Sequence, residues 1–272
     1  MDINLVSTHL GSFGFTLAAD EHSGLEVAML ERAGAEKLPS PLQFWGRVAG
    51  KSNDYLVCVA TASGYGFPKR SFYYCTRDSF TLKQLPPPDK YAEKAKAVTG
   101  LFSGDPSFPL EPEPEDAPEA EEGAPPPESF REIHRLSYVV DVIDKDTAVA
   151  PVNSWTANAS KSVVANKSYA GLSHAAAAEL RNYYHFRAPQ TALCVAAMEK
   201  PGLARPSDIF DPISADKPAG AWTVRHNEEG TRAELRSLYW PGFFFVQDVG
   251  GPGYGGVYFG NGLPNQDLAF AL

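Results

Sequence analysis

The fold of this chain is decided near its end by two runs, Leu235-Arg-Ser-Leu-Tyr-Trp-Pro-Gly-Phe-Phe-Phe-Val246 and Gly253-Tyr-Gly-Gly-Val-Tyr-Phe-Gly-Asn-Gly262. Tyr, Trp, Phe and Val suit a pleated, half-buried surface. The Gly- and Pro-containing segment between the runs favours a turn. The stretch therefore predicts a hairpin or two neighbouring strands, and it gathers no acid, base or nucleophile.

The first half of the chain predicts a second antiparallel unit. Residues 44–50, 55–61 and 71–76 are short, β-branched or aromatic runs separated by turn residues. The middle run is apolar on both faces, so we expect it to be the buried strand of a meander. Apolar residues at helical spacing predict a helix over 19–32, and residues 3–10 favour a shorter one.

The second half predicts helices followed by the last strands. Residues 131–146 carry apolar side chains at a mixture of helical and strand spacing. Ser173 is a predicted N-cap for a helix through 184, which would place His185 where a cation meets unpaired backbone carbonyls. A second helix is predicted over 191–199, and residues 222–224 would open the final sheet segment.

One acidic segment separates the two halves. Residues 109–128 contain seven Pro, seven Glu and one Asp without Lys or Arg, so they carry −8 of the net charge of −9. Such a composition buries too little apolar surface to offset ordering entropy, and it predicts a disordered insertion. We therefore expect an α+β fold, mainly antiparallel strands with several short helices. Halves 1–108 and 129–272 would form one compact domain, interrupted by a 109–128 linker.

Composition excludes several classes of function. The three cysteines have no C-x-x-C pair, which argues against zinc and disulfide frameworks and predicts a reducing, intracellular compartment. No basic stripe favours nucleic acid, and no apolar run approaches the ~18 residues of a membrane span. The six histidines show no metal-ligand spacing, and no sequence motif supplies a catalytic nucleophile.

Residues 46–52, Gly-Arg-Val-Ala-Gly-Lys-Ser, are similar to a phosphate-binding P-loop. The segment is one residue short, and no helical pattern follows it. The motif needs four residues between its glycines so that backbone N–H groups surround the phosphates. A turn between two strands is therefore favoured, and a nucleotide-binding enzyme stays as an alternative.

Aromatic and basic residues within the strongest local motifs are the candidate interface positions. The aromatic members are first of all core residues, but a chain with this many aromatics should also use some as association anchors. The predicted structural or interface residues are Trp45, Arg47, His185, Arg187, Trp222, Tyr239, Trp240, Tyr254 and Tyr258.

Ten motifs in order make the chain resemble a known family. They are Phe44-Trp-Gly-Arg47, Leu85-Pro-Pro87, Gly104-Asp-Pro-Ser107, Ile143-Asp144, Gly171-Leu-Ser173, Tyr184-His-Phe-Arg187, Gly220-Ala-Trp222, Leu235-Arg-Ser-Leu-Tyr-Trp-Pro-Gly242, Tyr254-Gly-Gly-Val-Tyr258 and Asp267-Leu-Ala-Phe-Ala-Leu272. Together they resemble the radial spoke head protein 9 family. The larger radial spoke head 4/6 proteins share its Trp-Gly and Trp-Pro-Gly motifs and are the runner-up, but the shorter chain favours head protein 9.

The resemblance implies a non-enzymatic subunit of the radial spoke head in the axoneme of motile cilia and flagella, a cytoskeletal location in the cytoplasm. Family members assemble with the head 4/6 proteins and other spoke components. The assembled head faces the central pair and passes signals toward the dyneins that control motility. No cofactor, metal or small-molecule substrate is implied. The acidic insertion has no family role to carry over, and we treat it as a possible docking tail for basic surfaces.

Overall fold

The structure, a computed structural model, describes residues 1–38, 40–111, 129–158, 160–199 and 206–271. Its strands are β1 Gln43–Val48, β2 Tyr55–Ala62, β3 Lys69–Thr76, β4 Ser79–Gln84, β5 Val149–Pro151, β6 Trp155–Ala157, β7 Val163–Ala165, β8 Tyr183–His185, β9 Trp222–His226, β10 Arg232–Ser237, β11 Phe243–Asp248 and β12 Tyr254–Gly260. Its α-helices are α1 Ile3–Leu10, α2 Ala19–Glu36, α3 Ala92–Ala97, α4 Glu132–Thr147, α5 His174–Ala177, α6 Ala192–Glu199 and α7 Leu268–Ala271.

One eight-stranded sheet contains strands from both ends of the chain, in the order β4-β3-β2-β1-β12-β11-β10-β9. Strands β1–β4 form one antiparallel meander and β9–β12 form another. The two meet at a parallel pair, in which Gly46 lies opposite Tyr258 and Val48 opposite Gly260. The predicted α+β class is confirmed. Strand β4 was not predicted, because its polar sequence gives no clear apolar alternation.

Both faces of the sheet are covered. Along β2, Tyr55 and Val57 face one apolar cluster, whereas Leu56 and Cys58 face the other. All four side chains are fully buried. Side chains alternate across a strand, so a strand that is buried on both sides is apolar at every position. The prediction that the middle run of the meander is buried is confirmed.

Helices form the outer layers. Helices α1 and α2 pack on the face that carries Leu56, and α2 contributes Leu25. Helix α4 packs on the opposite face through Leu136 and Val140. Residues 132–146, in the segment where the apolar spacing is mixed, thus lie in helix α4. The apolar face of this helix is wide because strands and loops cover the helix. Among the described residues, no helix combines the length and apolarity needed to cross a membrane.

The helix predicted from Ser173 to residue 184 is wrong beyond its first turn. Ser173 is the N-cap, and its side chain accepts a hydrogen bond from the Ala176 amide. Helix α5 then ends at Ala177, and the segment Tyr183–His185 pairs with β5 as strand β8. Tyr183 is fully buried there, and its hydroxyl donates to the Ala177 carbonyl at 2.9 Å. Pairing and burial outweigh the weak helix preference of the alanines.

The ends of the acidic insertion lie side by side. Pro109 forms an antiparallel bridge with Arg131, and the Leu110 amide donates to the Phe130 carbonyl at 3.1 Å. The disorder predicted for the insertion concerns mainly residues 112–128, which lie outside the described residues. The described residues that flank it, 109–111 and 129–131, therefore lie next to each other beside the start of α4.

Candidate functional site

Five of the nine predicted residues lie around one polar depression of about 210 Å³. They come from β8 and the loop after it, from the start of β9, and from the turn between β10 and β11. The depression is lined by Asp146, His185, Arg187, Gln190, Asp216, Lys217, Ala221, Trp222, Ser237, Tyr239 and Trp240. We call this feature the indole depression.

Two tryptophans are held there by aspartates. The Trp240 indole Nε1 donates to Asp146 Oδ2 at 2.9 Å, and the Trp222 Nε1 donates to Asp216 Oδ2 at 2.7 Å. An indole N–H is a donor only, so a buried tryptophan needs an acceptor. Both rings are about 95% buried. The carboxylates therefore fix the ring positions as well as satisfying the donors.

His185 lies on a strand beside Trp222, so the predicted helix-terminal position is wrong. Its Nε2 lies 2.8 and 2.9 Å from the two oxygens of Asp216. The side chain is 2% exposed, and Nδ1 has no hydrogen-bond partner among the described residues. His185 and Trp222 thus share one aspartate, which joins β8 to the start of β9.

Arg187, which lines the depression, is paired with a buried aspartate. Its Nη1 lies 2.7 Å from Asp211 Oδ2, and its Nε donates to the Lys145 carbonyl at 3.0 Å. Burial alone would raise the pKa of Asp211. Hydrogen bonds from Thr191, Gln190 and Arg187 outweigh burial and lower this pKa to about 2. The Arg187 charge is therefore neutralised within the fold.

Asp146 is the least compensated charge of the depression. Burial raises the pKa of its carboxyl above the ordinary value, and the hydrogen bond from Trp240 offsets part of this effect. His185 and Arg187 act in the same direction as Trp240, but from beyond salt-bridge distance. Asp146 forms no ion pair within 4 Å with any described cation. Its carboxylate therefore remains partly desolvated without a close counter-charge.

Trp45 and Tyr254 lie elsewhere, on the walls of a larger cleft of about 510 Å³. The Trp45 indole donates to Asp144 Oδ1 at 2.9 Å, and Arg70 Nη1 lies 2.9 Å from the same oxygen. Burial raises the pKa of Asp144, and Arg70 opposes this shift. The Tyr254 hydroxyl accepts from the Trp155 indole at 2.8 Å. The charges at the centre of the cleft thus neutralise each other.

Arg47 and Tyr258 lie in neither feature. Arg47 Nη2 lies 2.5 Å from Glu21 Oε2, a carboxylate buried at the start of α2. Tyr258 is fully buried, and its hydroxyl accepts from the Gly262 amide at 2.9 Å. Both side chains hold the sheet to neighbouring segments. The structure therefore brings five of the predicted residues together at the indole depression. Of the other four, Trp45 and Tyr258 have ring centroids 5.6 Å apart, and Trp45 and Tyr254 share the larger cleft.

The P-loop-like segment is a strand and a turn. Residues 46–48 lie in β1, and β2 rather than a helix follows the turn. A Cβ atom on Gly46 would lie 2.2 Å from the Tyr258 carbonyl oxygen. The glycine is explained by close approach of two strands, not by a phosphate. Among the described residues, no group of three His, Cys, Asp or Glu side chains could hold a metal ion.

Sequence reasoning missed the aspartates of the indole depression. Asp146 belongs to none of the sequence motifs described above. Asp211 and Asp216 lie in a stretch that shows no periodicity. The useful signal is indirect. A chain with four tryptophans needs buried acceptors for their N–H groups, and carboxylates near predicted helix ends are suitable ones.

The structure thus defines an α+β protein with one eight-stranded sheet built from both ends of the chain and a small polar depression lined by two fixed indole rings. Comparison with known proteins gives the family. The chain is 33% identical to the radial spoke head protein 9 homologue of Danio rerio over 264 residues, covering 95% of this chain and 94% of that protein. It is 33% identical to the Bos taurus homologue and 32% to the Homo sapiens homologue, each over 235 residues and 84% of both chains.

These relatives are radial spoke head proteins, and they match over most of their length. The chain belongs to the radial spoke head protein 9 family. The resemblance drawn from the ten motifs is confirmed. No family model matches the sequence.

Proposed function

We propose that this chain is a non-enzymatic structural subunit of the radial spoke head, in the axoneme of motile cilia or flagella. Its partners are other radial spoke components, among them the head 4/6 proteins. Through the assembled head it contributes to signalling between the central pair and the dyneins. Membership of the family supports this role, since the relatives are named for the spoke head.

The observation that carries the proposal is the indole depression. Five residues predicted as interface positions meet there, and two of their aromatic rings, the indoles of Trp222 and Trp240, are fixed by aspartates before any partner binds. Preorganised aromatic side chains lower the entropy cost of association. At about 210 Å³ the depression is smaller than the ~300–1,000 Å³ usual for small-molecule sites. A protein side chain fits better than a substrate.

Removal of the protein from a ciliated cell tests the role. Cryo-electron tomography should show spokes with incomplete heads, and video microscopy should show abnormal beating. Expression of the wild-type chain should restore both. Complete heads and normal beating in the absence of the protein would refute the proposal.

A docking role for the acidic insertion, residues 109–128, is a separate proposal. Its charge of −8 would attract basic surfaces of the central apparatus weakly and in a salt-dependent way. Because its ends lie together beside α4, residues 112–128 can be replaced without separating any described elements. Cells that carry the replacement should assemble complete heads but beat abnormally. Normal beating would count against a docking role for the segment.

A further inference from the structure

We propose that the indole depression receives an arginine side chain from a neighbouring protein of the assembly, with Asp146 as the carboxylate that pairs with the guanidinium. This inference rests on the proposed structural role and names the chemistry of one contact. It follows from the charges around the depression, from its size and from its rings.

The other charges of the depression are accounted for within the chain. Arg187 pairs with Asp211, and Asp216 accepts from both His185 and Trp222. Lys217 lies exposed on the rim. Asp146, by contrast, has no Lys, Arg or His nitrogen within 4 Å among the described residues. Its Oδ2 accepts from Trp240, and no described group donates to Oδ1.

Partial burial makes the lack of a close counter-charge at Asp146 costly in the isolated protein. A carboxylate removed from water without a close counter-charge favours its neutral form, which is why the pKa of Asp146 is raised. A cation that enters the depression would restore the charged form and be attracted by it. A neutral or anionic group in the depression would not lower the free-energy cost of the Asp146 charge.

The size and the rings favour arginine over other cations. The volume of about 210 Å³ is below the range usual for small-molecule sites and has room for one long side chain. Tyr239 and Trp240 lie almost perpendicular, with ring centroids 5.5 Å apart. A planar guanidinium can stack on an aromatic ring while donating to a carboxylate.

The direct test uses N-acetylarginine amide as the probe and the Trp240 indole N–H signal in NMR as the readout. Titration of the full chain should shift this signal in a saturable way. Asp146→Asn keeps an acceptor for Trp240 but removes the charge, and it should weaken binding at least tenfold. Asp141→Asn, on the same helix but outside the depression, is the matched control and should bind as the wild type does.

Two further probes distinguish the occupants. N-acetyllysine amide should bind several-fold more weakly than the arginine probe, and stronger lysine binding would overturn the assignment to arginine. Inorganic phosphate should cause no saturable shift. A phosphate shift that grows in Asp146→Asn would show an anion site built on Lys217 and would overturn the proposal.

The same variants test the contact in the assembly. In cells that lack the endogenous protein, Asp146→Asn should be retained in salt-washed axonemes several-fold less than the wild type, whereas Asp141→Asn should be retained normally. The purified Asp146→Asn protein should have a Tm equal to or above that of the wild type, because a desolvated charge has been removed. A clearly lower Tm would indicate a purely structural residue and overturn the inference.

The outcomes separate this inference from the proposed function. If removal of the protein disrupts the spoke head but Asp146→Asn assembles normally, the structural role stands and the arginine contact is refuted. If removal leaves the head intact, the structural role itself fails, whatever the arginine probe shows.

Discussion

Gly46→Ala should destabilise the protein strongly, because it separates the two strands that join the ends of the chain. The new Cβ atom would lie 2.2 Å from the Tyr258 carbonyl oxygen and 2.9 Å from the Tyr258 carbonyl carbon and amide nitrogen. All three are backbone atoms, so no side chain can rotate away. The strands must move apart by about 1 Å to reach an ordinary contact distance.

The size of the effect follows from two costs. Overpacking of this kind costs about 1–3 kcal/mol. The φ of 156° at Gly46 is rarely adopted by residues with side chains, and such strain costs about 1–3 kcal/mol. The free energy of unfolding should therefore fall by about 2–6 kcal/mol, a large part of the ~5–15 kcal/mol that stabilises a typical protein.

Urea unfolding followed by tryptophan fluorescence measures this loss. The matched control is Gly34→Ala, which lies in helix α2 with open space around its Cβ position. That variant should gain about 0.5–1 kcal/mol, because alanine favours the helix and restricts the unfolded chain. The same Gly→Ala change should thus lower the free energy of unfolding at position 46 and raise it at position 34. A loss below about 1 kcal/mol for Gly46→Ala would refute the argument from strand contact.

The same measurement tests the domain organisation. We propose that residues 1–108 and 129–272 unfold as one unit, because strands from both halves share one sheet. The wild type should then show a single transition, with the same midpoint by fluorescence and by circular dichroism. Two separate transitions would refute the single-domain proposal. If Gly46 instead served phosphate binding, Gly46→Ala would not lower the free energy of unfolding in the absence of nucleotide.

Three further predictions concern stability. Glu132→Gln should cost about 2–4 kcal/mol, because the Tyr55 hydroxyl and two backbone amides donate to this buried carboxylate at 2.6–2.8 Å, and the amide NH2 would face a donor. Asp211→Asn should cost about 2 kcal/mol at pH 7, because the pKa of Asp211 is about 2 in the fold against an ordinary 3.8. Replacement of residues 112–128 by a four-residue Gly/Ser turn should leave the urea midpoint unchanged, because the flanking segments already pair.

Each of these has its own measurement and control. Urea titration at pH 7 suits Glu132→Gln, with exposed Glu179→Gln as a control that should change stability by less than about 0.5 kcal/mol. For Asp211, whose folded pKa is depressed, the contribution is complete above about pH 4 and is lost as pH falls toward 2. The difference between wild type and Asp211→Asn should therefore shrink in acid, and a constant difference would contradict the assignment. A lower midpoint for the replacement of 112–128 would show that the insertion packs on the fold.

Local patterns were sufficient for much of the fold. Strand β2 was predicted as the buried centre of a meander, since a run that is apolar at every position has no face for water. Helix α2 was predicted from its apolar spacing, and the family from ten short motifs. In each case the signal lies within a few neighbouring residues, which the sequence displays directly.

Contacts between distant residues required the tertiary structure. Residues 183–185 follow a run of alanines that favours a helix, yet they form a strand because β5 offers pairing and the core offers burial for Tyr183. The register of Gly46 against Tyr258 depends on two segments more than two hundred residues apart. No local pattern specifies such a partner.

The same division holds for the candidate site. The sequence by itself determined which aromatic and basic side chains were candidates, because their residue types and motifs are visible without a fold. Only the tertiary structure decided that five of them surround one depression, and that Trp240 and Asp146, 94 positions apart, share a hydrogen bond. The physical reason is that burial leaves each indole N–H in need of an acceptor, and folding determines which carboxylate lies within reach.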